Sequence, residues 1–268
     1  MFILALIAAL AVKGGSITMY GGTAPKSLNA YLDNSHYTSV IFSLAYPTLL
    51  GTDEETGELE GQVAESWSVS SDGRQFTFRL DKNAKWSDLT PITAHDVKWT
   101  FDTVMDPAND TGPWKSVLSF FESPAVVDDR TVRFTKKSDS SSDWRDILNC
   151  SSFWILPKHR FEGRTFSKID FVGEVSGGAY FFEKAEDEVK SVLKRNANWW
   201  RAGLEKEKRN CNFDRIIVRY FASGENAYAE FKRGKIDFYP VYSARLMAQE
   251  TSTEDFSRNF ILKRRVVN

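Results

Sequence analysis

The chain has 268 residues, with 35 Lys and Arg against 36 Asp and Glu and a formal net charge of −1. That near-balance removes any bulk electrostatic reason to expect nucleic acid or an anionic membrane as partner. Hydrophobic residues at 42% and charged residues at 26% fit a globular protein with a sizeable core, and the length suits one large domain or two small ones.

The first residues, Phe2 to Val12, form an apolar run too short to span a bilayer. The run fits the hydrophobic part of a secretory signal, with Ala9-Leu10-Ala11 as an A-x-A cleavage form; the alternative is a first buried strand. Ile17 to Tyr20 reads as a short strand closed by Gly21-Gly22. Ser35 to Leu50 is apolar with helical spacing at Val40 and Leu44, and Pro47 ends or kinks it. Ser70-Ser71-Asp72-Gly73 is a turn, and Phe76, Phe78 and Leu80 alternate with Thr77 and Arg79 as a half-buried strand. Thr93 is an N-cap with Asp96 three residues on, in the pattern of a capping box. Val97, Phe101 and Val104 then give that helix one buried face, and Asp106-Pro107 stops it.

Val126 to Phe134 reads as strand, Asp-rich turn, strand. Ser138 to Ser142 is a polar, low-complexity loop. Gly177-Gly178 is a flexible point and a candidate domain crossing. Beyond it, Phe181-Phe182, Val189 to Leu193 and Ile216 to Phe221 read as strands. Gly224 to Arg233 is a helix stopped by Gly234, and Ile236 to Tyr239 is a further strand. Strands and helices interleave, so the chain belongs to a mixed α/β class.

No GxSxG, HExxH, Walker loop or GxGxxG occurs in the sequence. Only three His and two Cys are present, without a CxxC pair, which leaves little to hold a metal, and no cofactor is expected. Cys150 and Cys211 are either one disulfide of an exported protein or two buried thiols. Aromatic residues reach 14%. That is more than a minimal core needs, and some are expected to form rigid walls for a ligand. Asn196 to Trp200 reads either as a carbohydrate-stacking pair or as aromatics anchoring a loop.

Three blocks in order resemble one family. The first runs from Val63-Ala64-Glu65-Ser66-Trp67 through Arg79-Leu80 and Ala84-Lys85-Trp86-Ser87-Asp88 to Thr93-Ala94-His95-Asp96-Val97. The second is Gly178-Ala179-Tyr180 followed by Leu193 to Trp200. The third is Phe213-Asp214-Arg215-Ile216, then Ala227 to Gly234, then Ile236-Asp237. Together they are similar to extracellular solute-binding proteins, family 5, of the oligopeptide, dipeptide and nickel type that serve ABC importers. The Tyr242 to Ala248 tail is most similar to the oligopeptide/microcin C branch.

The resemblance implies an α/β, type II periplasmic-binding-protein-like first lobe carrying an inserted α+β subdomain. The second lobe is expected to be missing, because the match corresponds to the first half of a family member. It implies a signal-like segment over 1–13, lobe I over 14–62 and 177–242, the subdomain over 63–176, and the start of a crossing over 243–268. It also implies a non-catalytic, monomeric binding component, outside the cytoplasmic membrane, that hands a peptide-like solute to a permease. The other readings are a secreted hydrolase using paired carboxylates and a binding-dead fragment. Carried over by position, Thr38, Ser39, Trp114, Cys150, Ser151, Tyr239 and Tyr242 are the expected ligand contacts. Trp86 is expected to plug its loop onto the core and Asp88 to satisfy backbone donors there. Family members usually have Gly where this chain has Leu89, so the turn is expected to differ.

Overall fold

A computed structural model of the chain describes residues 13–33, 35–53, 56–137, 144–186, 188–207, 211–241, 244–249 and 254. The signal-like run up to residue 12, the polar loop 138–142 and Tyr242 lie outside the described residues. Two four-stranded sheets and a small hairpin make up the β structure. In the first sheet, β1 (Ser16–Tyr20) runs parallel to β10 (Arg215–Arg219), with Ser16 beside Arg215 and Tyr20 beside Arg219. Antiparallel β9 (Lys190–Arg195) and β8 (Tyr180–Glu186) complete it. The second sheet is wholly antiparallel, in the order β4 (Ala64–Val69), β5 (Gln75–Leu80), β7 (Thr131–Thr135), β6 (Ala125–Asp128). The hairpin pairs β2 (Leu50–Thr52) with β3 (Leu59–Gly61).

The alternation read in β5 sets the inner face of the second sheet. Phe76, Phe78 and Leu80 are buried, and Phe78 meets Phe134 of β7 edge-on at 5.8 Å. Helix α2 (Ala94–Met105) covers that face with Val97, Phe101 and Val104. Its capping box forms as the sequence predicts: the Thr93 amide donates to Asp96 Oδ2 at 2.8 Å. Asp96 also accepts from the Lys158 amide at 2.9 Å, which ties α5 (Lys158–Phe161) to the start of α2. Burial pushes the Asp96 carboxyl up against the pull of these donors.

The short helices α3 (Gly112–Leu118) and α4 (Trp144–Ser151) pack nearby. Helix α1 (His36–Ser43) follows β1 and is capped by Ser35, whose Oγ accepts from the Thr38 amide at 3.1 Å. Helix α6 (Gly224–Lys232) follows β10, and the described chain ends with α7 (Ala244–Gln249) and residue 254.

Gly177-Gly178 is not the flexible point the sequence reading expected. A Cβ on Gly178 would lie 2.2 Å from the Leu44 carbonyl oxygen, and one on Gly177 would lie 2.9 Å from both Pro47 and Trp86. Gly178 lets two backbones touch, and Gly177 makes room for the Pro47 and Trp86 rings. The Gly178 amide donates to Ala45 O at 2.8 Å, and the Tyr180 amide to Leu44 O at 3.0 Å. Trp86 is fully buried beside this contact, as expected of a plug, and Asp88 Oδ1 accepts from the Thr90 amide at 3.0 Å. Leu89 keeps the left-handed φ of 72° that a glycine would favour, with its side chain more than half exposed.

Ile236 to Tyr239 forms no full strand. A single parallel bridge joins Phe238 to Met19, with Asp237 and Phe238 amides donating to Thr18 O. Cys150 and Cys211 are separate, buried thiols.

Candidate functional site

The parallel pair β1 and β10 defines one end of the first sheet. In open α/β sheets, ligands bind outside the carboxyl ends of such strands. Both strands end there in close backbone contacts: the Gly21 amide donates to Arg219 O at 2.8 Å, and the Phe221 amide to Gly22 O at 2.9 Å. Gly22 has φ of 76°, and a Cβ on it would lie 2.3 Å from the Tyr37 ring. Glycine there allows the first turn of α1 to lay Tyr37 on the loop backbone.

An aromatic wall results. Tyr20 stacks on Tyr239 with centroids 5.0 Å apart and planes 8° apart, and it meets Tyr37 at 5.3 Å and Phe221 at 6.1 Å. These rings form a small cluster with Ala227, Phe231 and Ile236, separate from the main core. Tyr239 Oη donates to Gly224 O at 3.1 Å, at the start of α6. Burial, then the Glu225 carboxylate, raises the Tyr20 phenol, against a hydrogen bond with Tyr37. Burial, then Tyr20 and Glu225, raises Tyr239 to about 12. Both phenols therefore stay neutral near pH 7 and act as polar tips on apolar rings.

The loop from Gly22 to Asp33 leads from this wall to a second aromatic group. Tyr31 donates to Trp154 O at 2.5 Å and packs on Trp114 at 5.4 Å and Trp154 at 5.7 Å. Asp33 fixes the loop by accepting from the Lys26 amide at 2.7 Å and the Ser35 amide at 2.9 Å. Burial pushes Asp33 up, but the Ser35 and Lys26 amides, with hydroxyls from Ser35 and Thr38, outweigh it and hold the carboxyl below its ordinary value.

The positions expected to touch ligand divide among these places. Tyr239 is half-buried in the wall, and Ser39 is half-buried on α1 two residues beyond Tyr37. Trp114 is half-buried in the second aromatic group. Thr38 is 2% exposed, and its hydroxyl lies 2.6 Å from Ser35 Oγ, so it serves the α1 cap. Cys150 and Ser151 are fully enclosed at the end of α4, and the Ser151 carbonyl accepts from the Leu49 amide at 3.0 Å. Neither presents surface to a solute in this arrangement. Tyr20, Tyr37 and Phe221 were missed as wall residues. The signal for the first was an aromatic residue at a strand end directly before Gly-Gly.

Trp199 and Trp200 pack half-buried against the core, which is the loop-anchoring alternative. Beside them the buried Arg201 donates to the Gly61 and Gln62 carbonyls at 3.0 and 2.9 Å, and pairs with Glu60 and Glu207. A separate open groove beside α2 is lined by Phe101, Met105, Phe121 and Asp102, whose carboxylate is bonded to Lys98 at 2.8 Å. It lies away from the aromatic wall and shares none of its residues.

No cluster of His, Cys, Asp and Glu among the described residues can hold a metal ion, and no helix among them is long and apolar enough to cross a membrane. His159 lies 2.8 Å from Asp88. Asp96, the carboxyl raised by burial, is used by the α2 cap. In the aromatic cluster Tyr20 is buried, and Tyr37 and Tyr239 are half-buried.

The aromatic cluster stands at the carboxyl ends of the parallel pair β1 and β10. The model of the bacterial extracellular solute-binding proteins, family 5 (middle), matches residues 58–262, and the chain belongs to that family. The peptidoglycan-binding protein YepA of Agrobacterium fabrum is 29% identical over 81% of this chain and 35% of its own length. The glutathione-binding protein GsiB of Shigella boydii is 25% identical over 97% of this chain and 49% of its own. The chain thus spans between about a third and a half of the curated relatives it matches. Among solved structures, the oligopeptide-binding protein AppA of Bacillus subtilis, in complex with a nonapeptide, superposes with a TM-score of 0.76 at 19% identity. That match covers 90% of this chain and 46% of AppA. The fold is that of the family, as the resemblance implied.

Proposed function

We propose that the chain supplies the first-lobe side of a solute site in the binding component of an ABC importer, with a peptide-like molecule as solute and a membrane permease as partner. The observation that carries this is the aromatic wall of Tyr20, Tyr37 and Tyr239 at the carboxyl ends of β1 and β10, in a chain of this family. Flat rings with polar tips suit a ligand held by its backbone with roomy side-chain space. Ser39 on α1 and Trp114 beyond the 22–33 loop are the further proposed contacts. Residues 14–62 and 177–242 act as the lobe and 63–176 as its inserted subdomain; the division of the strands between two sheets supports this. The protein works as a monomer outside the cytoplasmic membrane. Its relatives are named as binding proteins, and nothing found favours the carboxylate-pair hydrolase.

Native mass spectrometry of the purified chain in a tripeptide pool tests the reading. The expected result is a 1:1 peptide adduct that is lost on denaturation. Absence of any adduct, from a chain that melts cooperatively, refutes binding by this chain and leaves the binding-dead fragment.

A further inference from the structure

The outer face of the first sheet carries a pattern of its own. In β9 and β10, Ser191, Leu193, Ile216 and Val218 are buried. Strand alternation therefore turns Lys190, Val192, Lys194, Arg215, Ile217 and Arg219 to the other face. Register sorts these into three rows across the strands: Arg215 beside Lys194, Ile217 beside Val192, and Arg219 beside Lys190. The middle row is apolar. Ile217 and Val192 are half-buried, yet neither packs against the main core or the small aromatic cluster. Phe181, opposite Lys194 on β8, is likewise half-buried and outside both.

The outer rows carry more positive charge than the chain neutralises there. Glu183 serves both Arg215, at 2.8 Å, and Lys194, at 3.7 Å. Glu186 serves Lys184 at 2.8 Å and Lys190 at 3.3 Å. Glu230 of α6 serves Arg219 at 3.6 Å and Arg233 at 2.8 Å. Six cations thus share three carboxylates. Hydrogen bonds from Arg215, Lys184 and Arg233 hold those three carboxyls below their ordinary value, so all are ionised near pH 7. Asp237, at the β1 edge, accepts from the Thr18 amide at 2.7 Å, and counting it still leaves a surplus of cations. The whole chain carries a net charge of −1, so the surplus belongs to this face.

The two cationic rows lie four residues apart along each strand, which is about 13 Å. That is close to the width of an α-helix with its side chains. The apolar row runs midway between them. Arg and Lys side chains are longer than Val and Ile, so a flat layer of anionic headgroups would meet their tips and miss the apolar row. We propose that this face docks an acidic amphipathic helix of a partner polypeptide, with its apolar stripe on Ile217 and Val192 and its carboxylates on the two cationic rows. Burial of the stripe supplies affinity, and the charge rows set orientation. The proposal does not rest on the solute-binding reading.

The test measures fluorescence anisotropy of two labelled peptides on the purified chain, each about 18 residues long so that a helix can form in water. One carries Leu at helical spacing between flanks of Glu. The other has the same composition in an order that forms no stripe. At low salt the striped peptide is expected to bind about tenfold tighter than the other. Lys190→Glu combined with Lys194→Glu should weaken the striped peptide about tenfold. Should that pair of substitutions lower the unfolding midpoint, Lys184→Glu alone, at a side chain 62% exposed, should weaken binding about threefold. Equal affinities for the two peptides overturn the docking face, because charge alone then explains binding. An affinity that survives the reversals overturns it too, as does the absence of binding. Capture by phosphatidylglycerol vesicles with neither peptide bound would assign the face to a membrane surface and overturn the helix.

Discussion

Replacing Gly178 by Ala tests the backbone contact between the segment before β8 and the turn after α1. The added Cβ would meet Leu44 O at 2.2 Å, Leu44 C at 2.8 Å and Ala45 C at 2.9 Å. These are backbone atoms of the turn after α1 and cannot swing away as a side-chain tip can. Relief requires moving the 177–180 segment off that turn. Three hydrogen bonds then stretch: Gly178 N to Ala45 O (2.8 Å), Tyr180 N to Leu44 O (3.0 Å) and Asn196 Nδ2 to Gly178 O (3.0 Å). At about 1 kcal/mol each, the loss is about 3 kcal/mol. For a chain of this size that lowers Tm by roughly 6–12 °C. Gly177→Ala is the internal control. Its contacts are the Pro47 and Trp86 rings at 2.9 Å, which yield by tenths of an ångström, so about 1–2 kcal/mol is expected. Thermal melts of both variants decide the matter. A Gly178→Ala midpoint within 2 °C of wild type, or a Gly177→Ala loss larger than the Gly178→Ala loss, would refute the close-contact account.

Arg201→Ala removes a buried guanidinium from two carbonyls and two carboxylates, and should cost about 3–5 kcal/mol in a urea melt. Asp33→Asn should cost about 2 kcal/mol at pH 7, since its carboxylate holds two loop amides. Because the Asp33 carboxyl is held below its ordinary value, its contribution is present above about pH 4 and is lost as pH falls through the folded value. The difference between variant and wild type should therefore shrink in melts below pH 4. Burial raises the Cys150 thiol well above its ordinary value and Cys211 to about 12. A thiol reagent at pH 8 should therefore label neither in the native chain and both on unfolding.

Local rules carried the reading furthest where one residue decides the local shape. The Phe76-Phe78-Leu80 alternation gave β5 its buried face. The Thr93–Asp96 spacing gave the start of α2, and Gly234, at φ of 70°, ended α6. Pairings between distant segments were not legible. Nothing in Ile17-Thr18-Met19 indicates that β10 will lie parallel beside it, so the end of the sheet where the wall forms could not be placed. A Gly-Gly pair looks the same whether it bends or lets backbones touch, and Gly177-Gly178 proved to be the second kind. Cys150 and Ser151 stood at plausible positions along the chain, but α4 turns them inward on the same face as Ile147. Leu89 shows a tertiary demand overriding local preference: the turn between Trp86 and Thr90 holds its left-handed φ without the glycine.

The most direct measurement is the thermal shift that a saturating tripeptide pool produces in the wild-type chain and in Tyr239→Leu. If the wall at the carboxyl ends of β1 and β10 binds solute, ligand at about 100 times Kd adds about 2.7 kcal/mol and raises the wild-type Tm by roughly 5–10 °C. The variant, which loses the ring stacked on Tyr20, should shift by less than half as much. No shift in the wild type, or an equal shift in both, would contradict the account.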